Sequence, residues 1–201
     1  MNGNGYKKAS IHKEERMDKE IRRKVLLSGL TDIMFDRYPG DNKTELPPER
    51  KMYFMQDGKT LMLPAENLVS FLTAQNTESA TKRFFGKAYK AVASAILSYT
   101  AIAPFEIPFT IDGKPIVFSG FDEQQFYIKN SVARLNKGVP NPKTRPVLRT
   151  PWELSFEISI FPNKEFTEDT LHDLMVRGGL AIGLGTFRGV YGKFHIKQWQ
   201  S

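Results

Sequence analysis

Few residues able to do covalent chemistry stand in a pattern that would let them do it. The three histidines, His12, His172 and His195, share no local motif with another catalytic group, and a surface or packing role is expected for each. Cysteine is absent, which removes disulfides, thiolate metal sites and thiol nucleophiles. No His-Glu-x-x-His spacing and no Gly-x-Ser-x-Gly elbow occurs. No cofactor or metal is therefore expected. The residue types that do recur in a pattern are those that hold anions.

The densest pattern is the segment 178–192, which contains six glycines. Glycine lets backbone approach a ligand closely and adopt positive φ, and successive N–H groups can then cradle phosphate oxygens. Gly183, Gly185 and Gly189 are the candidate cradle, with Arg188 as a charged fork and Lys193 just beyond. A dinucleotide loop follows a strand and opens a helix, whereas this segment follows a helical pattern and enters a strand. It also lacks the Gly-Lys-Ser/Thr of a Walker loop. What remains is a polyanion contact, or a wide turn that packs the last helix on a sheet.

Charge supports the first reading. Over 201 residues the formal net charge is +7, a balance that favours phosphate-bearing partners. Lys82, Arg83 and Lys87 form a basic flank, and the stretch 131–149 holds Lys143, Arg145 and Arg149 without a single acid. Tyr191, Phe187 and Tyr127 are candidates to stack on bases. No apolar run approaches the length of a membrane span and no signal peptide is evident, so a cytoplasmic protein is expected.

These residues must be positioned by a mixed α+β core. Residues 1–23 read as a polar basic arm, and 24–201 as one domain with insertions around 36–63 and 104–149. A first strand is predicted over 24–35. A hairpin over 52–63 turns at Asp57-Gly58 in the type I′ manner, and a second turns at Asp112-Gly113. Pro64 opens a helix with Leu68, Phe71 and Leu72 on one face. Residues 77–102 read as one further helical stretch, and 131–149, with Pro140, Pro142 and Pro146, as a loop. Strict alternation predicts a strand over 152–161. Thr167 is placed to cap a helix that Gly178 or Gly179 would end. The last strand, 193–199, puts Phe194, Ile196 and Gln198 on one face and His195, Lys197 and Trp199 on the other. Without the insertions the order is βαββαβ, the ferredoxin-like (RRM-like) plan.

A glycine-rich loop between the second helix and last strand of that plan resembles the hallmark of the RAMP superfamily, the RNA-binding proteins of CRISPR effector complexes. The element Leu63-Pro64-Ala65-Glu66-Asn67-Leu68-Val69-Ser70-Phe71-Leu72 is similar to one that opens the first helix of their backbone subunits, with basic residues following. Ala65 stands where glycine or serine is usual. The two motifs cover about half the chain. The resemblance implies binding of guide or other single-stranded RNA along the sheet face and loops, and association with further copies or other subunits of a ribonucleoprotein.

Backbone subunits that cut RNA use an aspartate in the loop after the first strand, so the resemblance makes Asp36 the candidate for a metal-dependent endoribonuclease, with Asp41 in the same loop. Each is equally an ordinary loop carboxylate. The leading expectation is a non-catalytic RNA-binding module. The alternative is an assembly protein whose hairpins and proline-rich segment hold neighbouring subunits.

Overall fold

The computed structural model describes residues 19–41, 43–134 and 140–201. His12 and most of the polar arm lie outside that range. Strand β1 (Ile21–Gly29) begins within the predicted arm and stops well short of residue 35. Val25 and Leu27 are buried while Arg22 and Lys24 are exposed, so β1 has one core face. The chain then leaves the sheet, and Ile33–Met34 forms the short strand β2 elsewhere.

The 52–63 segment doubles back through Phe54 and Leu61. Its turn is not type I′. Gly58 donates to the Met55 carbonyl, and of the two residues Asp57 and Gly58 only Gly58 has positive φ. That is a type I turn closed by a left-handed glycine. The Asp57 carboxylate secures it by accepting from the N–H groups of Lys59 and Thr60, both at 2.8 Å. Strand β3 (Met62–Pro64) leads directly into α1 (Ala65–Thr73), which buries Leu68, Phe71 and Leu72.

The predicted single helix over 77–102 is two. Helix α2 (Ala80–Phe84) is capped by Ser79, the chain turns at Gly86 with φ +52°, and α3 (Tyr89–Tyr99) follows. Strands β4 (Thr100–Ala103) and β5 (Glu106–Ile111) then lie one after the other along β9 (Glu153–Ile160). The Asp112-Gly113 turn, positive φ at both residues, returns the chain into β6 (Lys114–Pro115), as type I′ requires.

The loop expected over 131–149 is, among the described residues, almost all strand. Strands β7 (Phe126–Arg134) and β8 (Pro140–Leu148) form a long antiparallel hairpin, and β2 completes a three-stranded sheet. The prolines fit because they share a parity. Phe35 N–H donates to the Pro146 carbonyl at 3.0 Å, so even-numbered positions of β8 face away from β7. On that side only the two-residue β2 and Phe35 pair, so the missing N–H groups of Pro140 and Pro142 cost no ladder bond and that of Pro146 costs one.

Thr167 accepts from Thr170 N–H and opens α4 (Glu168–Ala181). Gly178 and Gly179 do not end this helix but sit buried inside it. A Cβ at Gly178 would lie 2.5 Å from Phe71 Cζ, and one at Gly179 would lie 2.6 Å from the Phe194 carbonyl oxygen. The glycines are there so that α4 can lie against α1 and the last strand. Strand β10 (Phe194–Gln200) pairs with β1 through a bulge: Val25 faces Trp199 while Leu27 faces Ile196. The bulge reverses the alternation, so Trp199 joins Ile196 on the helix face, contrary to the predicted split. There its Nε1 donates to Glu168 at 2.8 Å and its ring meets His172 edge-on.

The main sheet runs β10-β1-β9-β5-β3 with β4 also on β9, every pairing antiparallel. With β4 and β5 read as one interrupted second strand, this is the ferredoxin-like order four-one-three-two. The buried side chains of β1 and β9 pack with Phe71, Leu171, Leu174 and Met175 of the helices.

Candidate nucleic-acid interface

The chain between α4 and β10 is held from several sides. Leu184 N–H donates to the Gly192 carbonyl, Thr186 N–H to Met34, Gly189 N–H to Ile182 and Gly192 N–H to Asp32, at 2.6–2.9 Å. Lys193 N–H donates to Thr31 Oγ1 at 3.0 Å. At Gly192, with φ +70°, a Cβ would come within 2.0 Å of the Leu184 carbonyl oxygen, and at Gly183 one would come within 2.7 Å of Gly192 backbone. Those glycines allow two backbone segments to touch, and their neighbours' N–H groups are already used within the fold. Gly189 differs, with nothing within 4 Å of its Cβ position. The loop therefore presents its tip. Phe187 is 62% exposed at a φ of +55°, and Val190 beside it is exposed too.

On one flank of the tip, Arg188 reaches the turn before α2. Its guanidinium donates to the Glu78 carbonyl at 2.9 Å, and Arg83 pairs with the Glu78 carboxylate at 3.0 Å. Burial pulls the Arg188 guanidinium below its ordinary value, with the Glu78 charge pushing back. Lys82 Nζ donates to the Gln75 carbonyl at 3.2 Å, and Lys87 is exposed in the turn after α2. Lys82, Arg83 and Arg188 are thus brought together.

On the other flank the loop meets the three-stranded sheet. Asp32 is the junction: beyond its carbonyl's bond to Gly192, its carboxylate accepts from Thr150 N–H at 3.0 Å and from Tyr127 OH at 3.1 Å. Burial and the Asp32 charge push the Tyr127 phenol up, and its hydroxyl also meets Tyr191. The Arg149 guanidinium lies 4.4 Å from the Tyr127 ring centroid.

Beyond this junction, the acid-free run on β8 is neutralised by acids from another segment. Arg145 Nε donates to Asp36 at 2.8 Å and Lys143 Nζ to Glu45 at 2.8 Å. Between them lies Lys51, only 2% exposed, which donates to Glu45 and, at 2.7 Å, to the Thr144 carbonyl. Hydrogen bonds from Lys143 and Lys51 hold the Glu45 carboxyl below its ordinary range. Lys51, Asp32 and Glu45 escape sequence reasoning, since a lone lysine and two loop acids carry no periodic signal. The cleft beside them, about 540 Å³, is lined by charged side chains including Asp36, Arg37, Lys43 and Lys143. Asp36 is engaged by Arg145 and lies 3.8 Å from Lys51. Among the described residues no three histidines or carboxylates are grouped as a metal would require.

The sheet face turned away from the helices is polar. Lys197 pairs with Glu153 at 2.8 Å and Arg22 approaches Glu157 at 3.9 Å. Among the described residues, β1, β9 and β10 put no Phe, Tyr or Trp on that face; Phe187 offers an exposed ring on the loop, as Tyr38, Phe105 and Phe161 do elsewhere. No helix among the described residues is long and apolar enough to cross a membrane.

No protein-family model and no curated protein matches the sequence. Among solved structures, the chain is similar in fold to one from the cryo-EM structure of the Type III-B Cmr-β bound to cognate target RNA, with 14% identity and a TM-score of 0.52. The match takes in 90% of this chain and 60% of that one.

Proposed function

We propose that this chain is an RNA-binding subunit of a CRISPR-type ribonucleoprotein, gripping single-stranded guide RNA at the tip of the glycine-rich loop. The observation that carries the reading is the position of that tip, with Phe187 exposed, between the Arg188–Arg83–Lys82 cluster and the Tyr191–Tyr127–Arg149 cluster. The order of the elements and the fold likeness to a chain from an RNA-bound Cmr-β structure support it. Phosphates would meet Arg83, Lys82, Lys87 and Lys193, and a base would stack on Phe187. Arg188 would exchange its carbonyl partner for a phosphate. The role is one of contact, and no chemical step is assigned to Asp36.

The test is binding of a fluorescently labelled single-stranded RNA across a salt series. Affinity should fall steeply with salt, and each lost cation should reduce the log–log slope by about 0.7. Phe187→Ala should weaken binding by about 5- to 150-fold, the range of one base stack. Absence of RNA affinity at low salt would defeat the reading. Incubation with Mg²⁺ should leave the RNA intact. Cleavage that disappears in Asp36→Ala would show that the role goes beyond contact.

A further inference from the structure

The two edges of the hairpin sheet are treated differently. On β8 the outward-facing even positions include Pro140, Pro142 and Pro146, which lack donors. Strand β7 contains no proline. Its odd positions face β8, as the Arg149 N–H bond to the Gln125 carbonyl at 2.9 Å shows just beyond the strand's start. Its even positions therefore turn their backbone outward. At Phe126 that edge is occupied, because Asp122 and Glu123 N–H both donate to its carbonyl at 3.1 Å. At Ile128, Asn130 and Val132, nothing among the described residues pairs with it. Ile128 is 37% and Val132 62% exposed. An edge without proline, bearing two exposed β-branched side chains and a single exposed lysine, Lys129, is open to pairing.

We propose that β7 is the interface of a two-fold dimer, pairing antiparallel with β7 of a second copy and centred on Asn130. The edge itself identifies the occupant, because it is self-complementary in that register. Ile128 falls opposite Val132 of the other copy, Asn130 opposite Asn130, and Val132 opposite Ile128. On the other face Lys129 falls opposite Ser131, so no like charges meet. A register centred on Lys129 would set two ammonium groups face to face. One centred on Ile128 would bring Asn130 against Phe126, whose outward groups are taken. Within each hairpin Ile128 lies across from Pro146 and Val132 from Pro142. The joined six-stranded sheet therefore has two apolar rows flanking a central amide row. Its opposite face carries Lys129 of each copy beside the ion-paired Lys143 and Arg145. The pairing needs no nucleic acid, so its test is separate from that of RNA binding.

The experiment uses ribonuclease-treated full-length protein. Gel filtration should give a dimer at micromolar concentration. Asn130→Lys, which apposes two cations at the two-fold, should halve the apparent mass. Asn130→Pro should do the same with the hairpin intact, because the N–H it removes faces outward. The chain has no cysteine, so each introduced one is unique. Asn130→Cys should cross-link to itself under mild oxidation, its Cα atoms being about 5.5 Å apart in a hydrogen-bonded pair. Ile128→Cys should cross-link to Val132→Cys in a mixture and far less to itself. The proposal is overturned by a wild-type monomer at every concentration, by a dimer that survives Asn130→Lys, or by Ile128→Cys cross-linking best to itself. Dimers that form only when RNA is present also overturn it.

Discussion

Lys51 shows how one side chain can organise a region. Its ammonium is out of solvent, yet its partners Asp36 and Glu45 are not: their side chains are 23% and 53% exposed. Replacing it with Met removes the bonds to Glu45 and the Thr144 carbonyl but leaves both acids able to hydrate. The expected cost is about 1–3 kcal/mol, below that of a fully buried pair, read as a lower urea midpoint. The glycines give a sharper contrast. Gly192→Ala drives a Cβ into rigid backbone at positive φ and should cost about 3 kcal/mol or more. Gly189→Ala has the same φ sign but open space and should cost about 1 kcal/mol. Thermal melts of the two variants should separate clearly. At this scale the sequence was legible for residue type and not for partner. Lys143, Arg145 and Arg149 read as an uncompensated cationic run because Asp36, Glu45 and Asp32 are remote in the chain and only folding brings them close.

At the scale of elements, periodicity was reliable where apolar and polar side chains alternate strictly. The alternation of 152–161 became β9, and Thr167 became the cap of α4. Thr167→Ala should destabilise by about 1 kcal/mol, measurable by denaturant titration. The misreadings have separate causes. Prolines in β8 looked like loop because their shared parity matters only once the neighbouring strand is known to be short. Gly178 and Gly179 looked like a helix end because glycine usually is one, and here it answers to Phe71 and Phe194 instead. The bulge opposite Leu26 and Leu27 carries no local signal, and it moved Trp199 across the sheet.

For the molecule as a whole, carboxylates engaged in the folded state set the response to acid. Glu45 is held low by Lys143 and Lys51, and Asp57 by its bonds to Thr60 and Lys59. For Glu168 burial pushes up, but the bonds from Arg23 and Trp199 outweigh it and the net direction is down. A depressed folded-state value stabilises above the unfolded value and is lost as pH falls through the folded one. Urea midpoints should therefore be flat from neutrality to about pH 5 and drop as pH falls below the ordinary 3.8–4.5 of these groups. An increase in stability towards pH 3 would contradict these ion pairs. The same pairing means that many of the 29 Lys and Arg side chains are not free to act as bare positive charge, although the net +7 is unchanged. On the proposed reading, the cations that meet RNA are those at the loop and α2.

The displaced Trp199 has an optical consequence. The chain has two tryptophans, and they report different events. Trp152 is fully buried with its Nε1 donating to the Thr31 carbonyl, so its emission should be blue and should shift only on global unfolding. Trp199 is part-buried, bonded to Glu168 and edge-on to His172, so its emission should be redder. It should change first as acid protonates Glu168 and loosens α4 from β10. One cuvette, read at two wavelengths, would follow the release of that helix separately from the loss of the core.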